Sequence, residues 1–151
     1  MTALFGCLLV LSVEPMPPAA FAERLPVCID LALRSESAGH DPALMLSVAW
    51  VESRFDPRAR SRVGAVGIMQ VVPRYFCPTR RARGCDLVDA GLKAYTRWRS
   101  VSRSVPHALC RYSSGYRCGS HGRRYARRVL RIRRRVAPVF AAAPLGLWTP
   151  E

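Results

Sequence analysis

The chain has 151 residues, the length of one domain with enough material for a real hydrophobic core. Half of the residues are hydrophobic, and no internal repeat, long linker or low-complexity stretch interrupts them, which excludes a disordered or fibrous chain. Lys and Arg number 24 against 10 Asp and Glu, a formal charge of +14, so anionic partners are favoured: nucleic acid inside a cell, envelope polymers outside it.

Ala3 to Val13 is apolar apart from Ser12, Pro15, Pro17 and Pro18 break the run, and Ala20-Phe21-Ala22 has the small-x-small form of a cleavage site. Residues 1–22 therefore read as a secretory signal, although no Lys or Arg precedes the apolar run. As a membrane anchor the run is too short, since a span needs roughly 20 residues. The expected organisation is a signal at 1–22, a domain at 23–136 and a tail at 137–151. Removing 1–22 takes away one charged residue, Glu14, and raises the formal charge to +15.

Export to a periplasmic or extracellular compartment decides how the cysteines read. Cys7 leaves with the signal, and Cys28, Cys77, Cys85, Cys110 and Cys118 remain. No pair has Cys-x-x-Cys spacing and His40, His107 and His121 are scattered, so no metal site or cofactor is expected. Disulfides are the better account in an oxidising compartment. Cys77–Cys85 and Cys110–Cys118 each close a short loop and are the preferred pairs, which leaves Cys28 over.

Arg24–Ala38, with Val27, Cys28, Leu31 and Ala32 on one side, predicts a first helix of the mature chain. Asp41-Pro42 opens the next, Asp41 as cap and Pro42 in the first turn. From Ala43 to Val51 every residue but Ser47 is apolar, the mark of a helix buried on nearly all sides, and Glu52 stands at its end. Asp56-Pro57 is expected to stop it. Arg58–Val72 suggests an irregular loop or a small β-ribbon, and Pro73–Arg83 a basic loop bracketed by cysteines. Further helices are expected over Asp86–Trp98, Pro106–Tyr112 and His121–Val136, with Pro138 ending the last. That last one aligns Tyr125, Val129, Ile132 and Val136 and carries eight arginines between Arg123 and Arg135. The chain is mostly α with a little β.

One stretch organises the chemistry. Val48–Pro73 takes an apolar helix into Glu52-Ser53, through a turn-rich segment, and back through Gly64-Ala65-Val66-Gly67-Ile68-Met69-Gln70. Glycoside cleavage needs a carboxyl still protonated near neutral pH, and an apolar helix favours that form by penalising the charged one. Taken alone, Glu52 reads as a helix-end residue that reaches solvent or pairs with Arg54. A second carboxylate, usual in glycosidases, is hard to find: Asp56 reads as a turn former, Asp86 and Asp89 as residues of a helix start.

Glu-Ser followed at this spacing by Gly-Ala-x-Gly-Ile-Met-Gln resembles the lytic transglycosylases of the goose-type-lysozyme-like group, over roughly residues 28–130. The resemblance implies a lysozyme-like α+β domain that cuts peptidoglycan glycan strands. One acid, Glu52, would protonate the oxygen between N-acetylmuramic acid and N-acetylglucosamine. The muramic N-acetyl group would assist, and Glu52 would then deprotonate the sugar's own 6-hydroxyl to close a 1,6-anhydro ring. Met69 and Gln70 match substrate-lining positions, and Ser53 and Ser61 match family serines, with core, capping or turn roles as the alternatives. Tyr112 matches the family's Ala-Tyr-Asn-x-Gly motif, but Ser113 stands where Asn is usual, a departure that shortens the reach to a sugar. Leu87-Val88-x-x-Gly91 matches a further motif only in part. Tyr125 matches a late Tyr-x-x-x-Val whose hydroxyl touches the acid. Relatives with cysteines at similar places keep Cys28–Cys85 open as a pairing.

The competing readings are a muramidase that hydrolyses the same bond with water, and a cationic wall-binding protein without catalysis. Nucleic-acid binding through the arginine-rich helix would need the signal reading to fail. Anionic envelope polymers are further candidate partners. Small enzymes of this type serve secretion-apparatus assembly, phage entry or lysis, and wall turnover.

Overall fold

A computed structural model describes residues 1–141. Seven helices follow one another: α1 (Thr2–Leu11), α2 (Pro18–Ser37), α3 (Pro42–Ser53), α4 (Pro73–Phe76), α5 (Leu87–Ser100), α6 (Val105–Ser114) and α7 (Ser120–Ala141). The chain is thus mostly helical.

Helix α3 is the axis of the core. Asp41 caps it by accepting from the Leu44 amide at 3.2 Å, and Pro42 occupies the first turn, where no amide is missed. Ala43 through Trp50 are all buried. Each large apolar side chain so enclosed favours folding by about 1.5–3 kcal/mol, which explains why a helix of this composition sits in the middle. α2 and α7 both pack against α3, while α6 packs on α7 and α5 on α6. The single buried hydroxyl in the middle of α3, Ser47, is satisfied by donating to the Ala43 carbonyl at 2.7 Å.

Two ion pairs fix the N-termini of helices to distant elements. Arg133 of α7 donates to the Asp41 carboxylate at 2.6 Å. Arg34 of α2 donates to Asp86 at 2.7 Å, and Asp86 also caps α5 by accepting from the Val88 and Asp89 amides. The Arg34 guanidinium and these amides hold the Asp86 carboxyl below its ordinary range.

Several boundaries differ from the sequence expectation. α2 begins at Pro18, not Arg24, and takes Pro26 inside it. α3 is stopped before Asp56-Pro57, by Arg54 (φ 54°) and Phe55 (φ 63°) in left-handed conformation, and Phe55 is fully buried against Trp50. Of the two forms expected after it, the irregular loop is the one found. Among the described residues the loop closes on two isolated antiparallel bridges, Arg60 with Val66 and Val66 with Val71. A turn of helix, α4, sits in the cysteine-bracketed loop. α7 runs through Pro138 to Ala141, so part of the expected tail is helical; residues 142–151 lie outside the described residues.

The largest difference is at the N-terminus. Cys28 is not left over: it pairs with Cys7, while Cys77–Cys85 and Cys110–Cys118 form as expected and Cys28–Cys85 does not. α1 lies against α2, α3 and α7 with Cys7, Val10 and Leu11 buried in the main core. The expected signal boundary at residue 22 falls within α2. No helix among the described residues is long and apolar enough to cross a membrane.

Candidate active site

Glu52 is the penultimate residue of α3, half-buried where that helix meets α7 and the loop that follows it. The Tyr125 hydroxyl of α7 donates to one of its carboxylate oxygens at 2.7 Å. Burial pushes the Glu52 pKa from 4.5 to about 7, and the Tyr125 hydrogen bond pulls in the opposite direction without cancelling it. Burial, and then the charge of Glu52, push the Tyr112 and Tyr125 hydroxyls well above their ordinary value, so both stay protonated donors. The alternative partner, Arg54, turns away from Glu52 and pairs with Glu14.

The loop from Arg58 to Val72 is tied to the end of α3 by its backbone. Ser53 donates to the Ile68 carbonyl at 2.8 Å, and Tyr112 of α6 donates to the Met69 carbonyl at 2.6 Å. These two bonds anchor Ile68-Met69 between α3 and α6. Gly67 enters with φ +77°, and a Cβ there would meet the Leu87 side chain at 3.0 Å. Glycine is required both for the turn and for the approach of α5.

The expected ligand-lining residues divide accordingly. Tyr112 and Tyr125 come to the Glu52 side of the molecule. Met69 is buried, with its side chain packed over Gly91 of α5, so it belongs to the core wall beneath the loop. Gln70 has φ 49° and spends its amide donors on the Ala59 and Gly67 carbonyls at 3.1 and 2.9 Å, leaving its carbonyl oxygen as the free polar end. Ser61 accepts from the Ala65 amide at 3.0 Å and closes the loop's own turn, next to Arg60 and Gly64. Ser113 stands half-exposed in the last turn of α6.

The other carboxylates weighed from the sequence are engaged elsewhere, and Glu14 pairs with Arg54 and Arg128. Asp56 accepts from the Arg58 amide, Asp86 caps α5, and Asp89 pairs with Lys93 one turn on. Sequence reasoning missed the bonds from Ser53 and Tyr112 to loop carbonyls, because a backbone acceptor leaves no mark in side-chain identity. It also missed three basic residues beside Tyr125, His121, Arg124 and Arg128, which stood in the sequence only as part of a charge run.

Residues 32–90 match the family model of the transglycosylase SLT domain. This stretch runs from α2 into α5 and contains Glu52, the glycine-hinged loop, Met69 and Gln70. Over that stretch, less than half of its length, the chain is similar to transglycosylase SLT domains. No curated protein and no solved structure matches the chain.

Proposed function

We propose that the protein is an exported peptidoglycan lytic transglycosylase in which Glu52 is the single acid and base. The observation that carries this reading is the Glu52 carboxyl itself: half-buried, raised to about 7, and held by Tyr125. A group of that pKa is protonated in a useful fraction near neutral pH and, once ionised, is a competent base. Glu52 protonates the oxygen between N-acetylmuramic acid and N-acetylglucosamine as the β-1,4 bond breaks. The muramic N-acetyl oxygen stabilises the anomeric carbon. The Glu52 carboxylate then takes the proton of the 6-hydroxyl, whose oxygen closes the 1,6-anhydro ring, and the carboxyl is restored. Engagement of Asp56, Asp86 and Asp89 in turns, caps and ion pairs supports a mechanism without a second carboxylate.

Ser61, Gln70, Tyr112 and Ser113 are proposed to border the glycan groove, with Met69 supporting it from beneath. Tyr125 orients the acid. Residues 1–22 are proposed as the export signal, and the Cys77–Cys85 and Cys110–Cys118 disulfides, which lie wholly outside it, are consistent with an exported protein. Mass spectrometry of the products from purified peptidoglycan tests the reading. Wild type gives anhydro-muramoyl ends and Glu52→Gln gives no cleavage. Reducing ends would make the enzyme a muramidase, and no products from wild type would leave a non-catalytic wall-binding protein.

A further inference from the structure

The two sets of arginines in this chain are treated differently by the fold. Arg34 and Arg133, which join helices, are each matched with a carboxylate at 2.7 and 2.6 Å. On the first turns of α7 the pattern changes. His121, Arg124 and Arg128 follow at intervals of three and four residues, share one face, and with Val51 and Tyr125 line a cavity of about 200 Å³. No carboxylate lines it. Arg124 makes no ion pair or hydrogen bond among the described residues. Arg128 approaches only Glu14, at 3.8 Å, and that carboxylate is already paired with Arg54.

Position gives the cavity its meaning. Its Tyr125 wall holds Glu52 at 2.7 Å, and its Val51 wall is the residue before Glu52 on α3. The cavity thus adjoins Glu52 through Tyr125 and Val51, and in it Arg124 has no carboxylate partner among the described residues while Arg128 has only Glu14, which it shares with Arg54. We propose that this cavity is a carboxylate-recognising subsite, in which Arg124 and Arg128 select glycan strands by a negative charge carried on the sugar next to the cleaved bond. The assignment deepens the peptidoglycan reading above and rests on it. Guanidinium groups recognise carboxylates by paired, charge-assisted hydrogen bonds. Peptidoglycan offers such a carboxylate in two places: on the lactyl ether of muramic acid once its peptide is removed, or on the stem peptide while it is attached.

Binding to the non-cleaving Glu52→Gln protein, by calorimetry at low salt, separates these sources and does not depend on turnover. Three probes are compared: peptide-bearing strands, amidase-stripped strands with a free lactyl carboxylate, and stripped strands whose carboxylates have been reduced to alcohols. Adding Arg124→Gln and Arg128→Gln should erase a preference of about tenfold for a carboxylate-bearing probe over the reduced one. The probe that loses most identifies the source of the carboxylate. Equal weakening on all three probes, or none on the charged ones, overturns the proposal, and thermal unfolding of the triple variant checks that the fold is intact. If wild type proves unable to cleave while the arginine-dependent preference remains, the catalytic reading fails and the subsite stands.

Discussion

The proposed chemistry falls on one carboxyl group, whose burial raises its pKa. In the unfolded chain Glu52 titrates near 4.5, and in the folded protein at about 7. Below the lower value both states are protonated and its burial carries no charge penalty. As pH rises between the two values the unfolded chain ionises first, so the folded state loses up to about 3 kcal/mol, fully by the time pH exceeds 7. Glu52→Gln should therefore unfold at the same temperature as wild type at pH 4 and several degrees higher at pH 8; equal midpoints at both would show an exposed carboxylate. Tyr125→Phe removes the hydrogen bond that opposes this shift. Its pH–rate profile should keep its shape with the basic limb moved to higher pH. Its rate should fall about tenfold, the worth of one hydrogen bond to a charged group. An unmoved limb would mean the tyrosine does not touch the acid in solution.

Between neighbouring helices, small features carry large consequences. A Cβ on Gly91 of α5 would sit 2.5 Å from the Met69 sulfur and 2.7 Å from its Cβ. Gly91→Ala should cost about 1–3 kcal/mol by overpacking, and Met69→Ala in the same chain should recover part of that loss, measured as denaturant midpoints. Additive losses would place Met69 elsewhere. Asp41 both caps α3 and receives Arg133. Asp41→Ala should cost about 1–2 kcal/mol, and Asn, which keeps a capping oxygen, clearly less. Much at this level was legible. Asp41-Pro42, the apolar run behind it and Asp86 before α5 are local signals, and local signals survive folding. What Met69 and Gln70 do was not legible, because one residue type serves a ligand, a core or a backbone carbonyl. Their contacts with Gly91, Ala59 and Gly67 are set by tertiary packing, which side-chain identity does not announce. The termini of α2 and α7 misled as well: α2 starts at Pro18, inside the segment read as a signal, and Pro138 read as a break although α7 runs on to Ala141.

Across the molecule, long-range pairs were the least legible. The eight-residue spacings of Cys77–Cys85 and Cys110–Cys118 announced themselves, whereas Cys7–Cys28 joins two segments that the signal reading had separated. Each short-loop disulfide should contribute about 2–3 kcal/mol by restricting the unfolded chain. Thiol counting tests how the N-terminus and the core are connected. The oxidised full-length chain should show no free thiol; after removal of residues 1–22 it should show one, mapped by peptide mass spectrometry to Cys28. A free thiol at Cys77 instead would mean that Cys28 re-pairs with Cys85. The high positive charge acts at the same scale. Arginines left unpaired on α7 should make retention on anionic wall polymers fall with salt, because screening shortens the reach of each charge to about 10 Å at 0.1 M.

The most direct measurement follows the Glu52 side-chain carboxyl carbon by NMR as pH is raised, with Glu52→Gln identifying the resonance. A midpoint near 7 is expected, with the catalytic rate falling over the same interval. A midpoint in the ordinary glutamate range, near 4.3, would contradict a buried proton donor and with it the enzymatic account.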